Sequence, residues 1–114
     1  MSDKKTGKGI YINIVNNEKY EGQYLDNEKH GLGTFFYKYG DKYSGEWVNG
    51  NKHGNGTFTF QNGTLIEGKW QDDKLNGPGR ITYNNDDFFE GISRCMSLFY
   101  NHFFHLNSLH YLIF

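Results

Sequence analysis

Between Tyr20 and Gly91 apolar or glycine positions alternate with polar ones at a period of two, the pattern of strands with one buried and one wet face. Tyr43, Gly45 and Trp47 fall on one side while Ser44, Glu46 and Val48 fall on the other; after an intervening loop, Gly56, Phe58 and Phe60 oppose Thr57, Thr59 and Gln61. The same split sets Gly33, Phe35 and Tyr37 against Thr34, Phe36 and Lys38, and Gly79, Ile81 and Tyr83 against Arg80, Thr82 and Asn84. One face is therefore aromatic and glycine-rich, and only Leu25, Phe36 and Val48 blur the polar one.

The alternation recurs at a fixed interval. Gly22, Gly45, Gly68 and Gly91 are each 23 residues apart, as are Gly31, Gly54 and Gly77, and Gly33, Gly56 and Gly79. Such a period denotes tandem supersecondary units that bury their apolar faces against stacked neighbours. The units are 20–42, 43–65 and 66–88. Residues 7–19 form a partial unit with one extra residue, and 89–91 begin a fourth that breaks off. Residues 1–6 read as a disordered lead. Asn49-Gly50 and Asn62-Gly63 are the dipeptides that tolerate positive φ at both centres of a type I′ hairpin turn. The predicted fold is all-β: an elongated, single-layer antiparallel meander of tandem hairpins, its strands pairing with their sequence neighbours.

Glycine alternating with large rings has a physical rationale. A ring from one strand can lie across the bare backbone of a glycine on the next. Glycine costs a strand roughly 0.5–1 kcal/mol, against roughly 1.5–3 kcal/mol recovered by burying a ring. Gly22, Gly31, Gly33, Gly45, Gly54, Gly56, Gly68, Gly77, Gly79 and Gly91 are accordingly structural, and valine at Gly45 or Gly68 is expected to disrupt a unit.

Tyr43-Ser44-Gly45-Glu46-Trp47, then Asn49-Gly50, Lys52-His53-Gly54, Gly56-Thr57-Phe58 and Asn62-Gly63, resemble the MORN repeat (membrane occupation and recognition nexus). The resemblance covers residues 20 to 91. Its third unit departs with Ile66 for tyrosine, Leu75-Asn76 for Lys-His and Pro78 between the glycines. It implies a non-catalytic scaffold or adaptor, since similar arrays serve as binding and assembly surfaces in junctophilins, exchange factors and cytoskeletal scaffolds. It also implies two alternatives, a peripheral membrane module for acidic phospholipids and a regulatory fragment of a larger protein such as a phosphatidylinositol phosphate kinase.

Charge and composition narrow the partner class. A formal net charge of −1 disfavours nucleic acid. Lys38, Lys69 and Arg80 are interleaved with Glu21, Glu46, Glu67 and Glu90, and Lys29, Lys52 and Lys74 read as loop lysines beside Glu28, Asp72 and Asp73. Positives so diluted are weak bait for anionic lipid. With the single Cys95 and no apolar signal sequence, a cytoplasmic setting is expected, with cytoskeleton or membrane association implied by the resemblance. No enzyme, metal or cofactor is predicted. His30 and His53 occupy one repeat position a unit apart, and read as turn residues at a loop end. Gly31-Leu32-Gly33 and Gly54-Asn55-Gly56 lack the Lys-Ser/Thr of a phosphate loop.

The aromatic face has two readings. Tyr24, Tyr37, Trp47, Phe58, Phe60, Trp70 and Tyr83 either serve packing alone or also grip a protein partner or a second copy, because one layer has nothing behind it to cover that face. An open edge strand is a second route to self-association. The apolar tail 92–114 has no glycine and no acid. It reads as a helical cap, an interfacial anchor, or the product of a shifted reading frame.

Overall fold

The computed structural model describes residues 5–92; the helical cap and anchor readings of the tail fall outside them. Eight strands follow in chain order: β1 (Gly7–Asn13), β2 (Glu18–Leu25), β3 (Glu28–Phe36), β4 (Lys42–Val48), β5 (Asn51–Thr59), β6 (Leu65–Gln71), β7 (Lys74–Thr82) and β8 (Phe88–Ile92). They form one antiparallel sheet in the order β1 to β8, each strand hydrogen-bonded to its sequence neighbours. The meander inferred from the alternation is the fold. Lys5 and Thr6, assigned to the lead by sequence, are hydrogen-bonded to the turn at Asp26 and Asn27.

Every unit carries the same irregularity. Gly22 pairs with Gly33, and the next aligned pair is Tyr24 with Lys29, so β3 has more residues than β2 across this step. Gly45–Gly56 followed by Glu46–His53, and Gly68–Gly79 followed by Trp70–Leu75, reproduce it. The bulge here uses a left-handed backbone position, as glycine bulges do, supplied by Gly31, Gly54 and Gly77 at φ of 71°, 61° and 86°. The orphaned amide beyond each is met by a side chain: Gln23 Oε1 accepts from Leu32 N at 2.7 Å, and Glu46 Oε2 accepts from Asn55 N at 2.6 Å. In the third unit Pro78 holds the corresponding place and has no N–H to satisfy, which accounts for the lysine, Lys69, standing where the other units have Gln23 and Glu46.

The turns alternate between two kinds. Asn49-Gly50 has positive φ at both positions and joins Val48 to Asn51 as expected. Asp26-Asn27 and Asp72-Asp73 adopt the same geometry without glycine. Asn62-Gly63 differs from expectation. Only Gly63 is left-handed, while Gly63 N donates to Phe60 O at 2.9 Å and Phe60 N to Thr64 O at 2.8 Å, a three-residue loop with its last residue in the left-handed region. Tyr37–Asp41 and Tyr83–Asp87 close in the same way. The short turns also extend the strands: Lys52 and His53 lie inside β5, and Lys29 and His30 inside β3, so none of the four is a loop residue.

Candidate binding face

The rings and glycines of alternate positions converge on one face. Tyr20, Tyr43, Phe58, Ile66, Trp70 and Ile81 are essentially inaccessible, and Tyr24, Trp47, Phe60 and Leu75 are also buried. Burial this complete on a single sheet comes from rings covering one another edge-on. Tyr43 stands between Trp47 and Trp70 at 5.0 and 5.3 Å, nearly perpendicular to both, and Tyr20 meets Tyr24 and Trp47 at 5.1 and 5.6 Å. The tyrosines cross the paired glycines: side chains built at Gly33 and Gly56 collide with the Tyr20 and Tyr43 rings, while at Gly45 a Cβ meets the Gly56 Cα at 2.5 Å. Their polar ends find backbone exposed by the bulge. Tyr20 and Tyr43 hydroxyls donate to Gln23 O and Glu46 O at 2.9 and 3.2 Å, and Trp47 and Trp70 Nε1 to Gly33 O and Gly56 O at 3.0 Å.

Of the seven rings singled out from the sequence, Tyr24, Trp47, Phe58, Phe60 and Trp70 are therefore core, whereas Tyr37 and Tyr83 are partly buried and pack against it with Phe35 and Phe89. Lys52, read from the sequence as a loop lysine, is instead a buried strand residue. The bulge brings it onto the ring face opposite Trp47, where it is only 4% exposed. Its ammonium lies 5.6–5.9 Å from the ring centroids of Tyr37, Tyr43, Phe58 and Trp70 and donates to the Tyr37 hydroxyl at 3.4 Å. Burial pushes its pKa down to about 8, partly countered by the Asp73 carboxylate. The corresponding residue one unit later is Leu75, buried as well. The signal lay in the sequence as a lysine alternating with leucine at one repeat position.

Two further lysines share that position. Backbone Asn27 N, Gly50 N and Asp73 N donate to the carbonyls of Lys5, Lys29 and Lys52 at 2.9, 2.9 and 3.3 Å, which makes the three lysines equivalent and extends the partial first unit back to Lys5. Lys29 is half-buried, its ammonium 5.2–5.9 Å from Phe35, Trp47 and Tyr20, and burial lowers its pKa. Lys5 lies over Tyr11 and Tyr24 at 4.2 and 4.9 Å. On the opposite face Lys19 pairs with Glu21 at 3.2 Å and Arg80 with Glu90 at 3.1 Å. His53 is exposed and His30 is half-buried, with its Nδ1 making no hydrogen bond. The turn role expected of them is not what β3 and β5 use.

The described residues expose a concentration of apolar groups at one end of the sheet, where Ile10, Tyr11 and Ile12 of β1 are followed by Ile14 and Val15 in the turn. Beside them a cavity of about 400 Å³ opens on the ring face, walled by Tyr11, Asn13, Tyr20, Lys29 and Phe35.

Comparison with known proteins agrees with this architecture at the level of the repeat. No curated protein matches the chain. The family model for the MORN repeat matches three consecutive stretches, residues 20–42, 43–65 and 67–88, whose limits fall within two residues of the β2–β3, β4–β5 and β6–β7 hairpins with the turns that follow them. MORN repeats occur in scaffold and membrane-binding contexts and are generally non-catalytic. More than half of the sequence matches in register with the glycine pairs that build the sheet, and the chain belongs to the MORN repeat family.

Proposed function

We propose that this chain is a non-catalytic scaffold that captures a protein partner through the β1 end of its sheet, where the ring face meets the edge strand. The observation carrying the reading is the exposed apolar groups between Ile10 and Val15, most of them more than half exposed, on a sheet whose ring face otherwise buries most of its aromatics. Tyr11 lies on the ring face and Ile10 and Ile12 on the other, so apolar surface flanks the edge strand on both sides, and exposed apolar surface is what partners cover. The buried rings Trp47 and Tyr24 contribute by holding the face in shape. A cytoplasmic setting belongs to the same proposal.

The test is capture from native lysate on the immobilised full chain against a Tyr11→Ser/Ile12→Ser double variant, with cosedimentation on phosphatidylserine vesicles in parallel. A protein retained by the wild type and lost by a variant with an unchanged far-UV spectrum supports the reading; if that protein is the chain itself, the edge serves self-association. Equal capture by both defeats the role given to β1. Vesicle binding that falls steeply with salt would favour acidic phospholipid instead, and recovery within a longer polypeptide would favour a regulatory repeat fragment.

A further inference from the structure

The cavity beside β1 has an internal counterpart one unit further along the sheet. Register aligns Tyr11 with Phe35 and Phe58, because Tyr11 and Phe35 both pair with Tyr20, and Phe35 and Phe58 both pair with Tyr43. Two residues further along, Asn13 therefore corresponds to Tyr37. Around Lys52 the cage is complete: Tyr37, Tyr43, Phe58 and Trp70. Around Lys29 the matching positions are Asn13, Tyr20, Phe35 and Trp47, and only the last three bring rings over the ammonium. Asn13 brings no ring there and is engaged in its own turn, its Oδ1 accepting from Val15 N and Asn16 N at 3.1 and 3.2 Å. The cavity bounded by Asn13, Tyr11, Phe35 and Lys29 stands where the next unit holds a phenol.

We propose that this cavity receives a tyrosyl side chain of a protein partner, which completes the Lys29 cage as Tyr37 completes that of Lys52. The incoming ring packs on Phe35 and Tyr11, as Tyr37 packs on Phe58 at 5.4 Å and on Phe35 at 4.7 Å. Its phenolic oxygen accepts from the Lys29 ammonium, as the Tyr37 hydroxyl accepts from Lys52. Three observations converge. The cavity volume lies in the range of ligand sites. Tyr11 on the edge strand is still 49% exposed, although the Lys5 ammonium lies over its ring at 4.2 Å. Lys29 is drawn on by the Glu18, Glu28 and Asp73 carboxylates, the first two of which line the cavity, but forms no salt bridge among the described residues, so its ammonium can still donate to an incoming oxygen. Phenylalanine fits the walls but leaves the ammonium unanswered, so the selectivity is for a phenol over a plain ring.

The inference rests on the protein-binding reading only for the source of the ring, and the pocket is tested without any partner. The full chain is titrated with p-cresol, the tyrosine side chain itself, and with toluene, followed by amide chemical shifts. The expected result is saturable shifts at Tyr11, Tyr20, Lys29 and Phe35, with p-cresol about 5- to 10-fold tighter than toluene. Asn13→Tyr fills the cavity from within and abolishes the shifts. Lys29→Met, tolerable because Leu75 occupies the equivalent place, brings the two ligands to near parity, a change that a purely structural lysine would not produce. Absence of saturation, equal binding of toluene by the wild type, or p-cresol binding indifferent to both substitutions overturns the proposal. N-acetyl-tyrosinamide failing to bind where p-cresol does would refute a side-chain ligand, while a failed lysate capture with intact p-cresol binding would refute only the edge-strand reading above.

Discussion

Lys52 shows how a single side chain acquires a property its sequence context conceals. An ammonium among four rings gains attraction from each, but at 5.6–5.9 Å these contacts are near their outer limit, and the loss of water outweighs them, so the pKa falls to about 8. A lysine held below its ordinary value gives its full contribution to stability above about pH 10.5, where it is neutral folded or unfolded, and loses it as pH falls through 8. Thermal stability is therefore expected to rise from pH 8 toward pH 10. Above that it should fall, because Tyr20, raised to about 12, and Tyr37 and Tyr43, raised further, stay protonated in the fold while the unfolded chain ionises them. Melting curves between pH 7 and 11 check the dome. Lys52→Met should reduce its rising limb to the part that Lys29, also lowered by burial, supplies, and stabilise the protein at pH 7 by about 1–3 kcal/mol; a limb undiminished by the substitution would assign it to another group.

At the scale of the hairpin, the Gly-x-Gly motif encodes a bulge, and the bulge has an amide that needs an acceptor. Gln23 and Glu46 supply it, and Pro78 removes the need. Gln23→Ala and Glu46→Ala should each cost about 1 kcal/mol, since the freed amides are reachable by water, whereas Lys69→Ala should be close to neutral. Chemical denaturation of the three variants makes the comparison, and an equal loss at Lys69 would show that the position matters for some other reason. The same unit explains why the lysine turns inward: the added residues in β3, β5 and β7 set Lys29, Lys52 and Leu75 opposite Tyr24, Trp47 and Trp70.

Across the whole sheet, extended over 50 × 27 × 22 Å, strong contacts join only successive strands. Stability in such an array is a sum of units and nearest-neighbour interfaces, so it should be greatest where a unit is flanked on both sides. Hydrogen exchange is expected to be slowest in β4, β5 and β6, which bury Tyr43, Phe58, Ile66 and Trp70, and faster toward β1 and β8. Uniform protection from β1 to β8 would instead mark one cooperative block. The gradient places the exposed apolar run and the Lys29 cavity at the end of the array where rings lack a neighbouring unit.

The sheet was legible in the sequence because its causes are local: alternation, glycine pairs and short turns recur at a fixed interval, and each strand needs only the next to pair with. Asn49-Gly50 showed its turn directly, while Asn62-Gly63 misled because the dipeptide does not reveal whether two or three residues close the hairpin. Lys52 was misread as a solvated loop lysine, since the bulge that redirects it is visible only in the register. The vacancy above Lys29 was hidden further by the extra residue between Asn13 and Glu18, which breaks the period that would have aligned Asn13 with Tyr37. Local pattern determined the strands, their order and the ring face. Which rings are sealed, which lysine loses water and where a ring is missing were decided only by tertiary packing, because burial depends on what the neighbouring units place against each side chain.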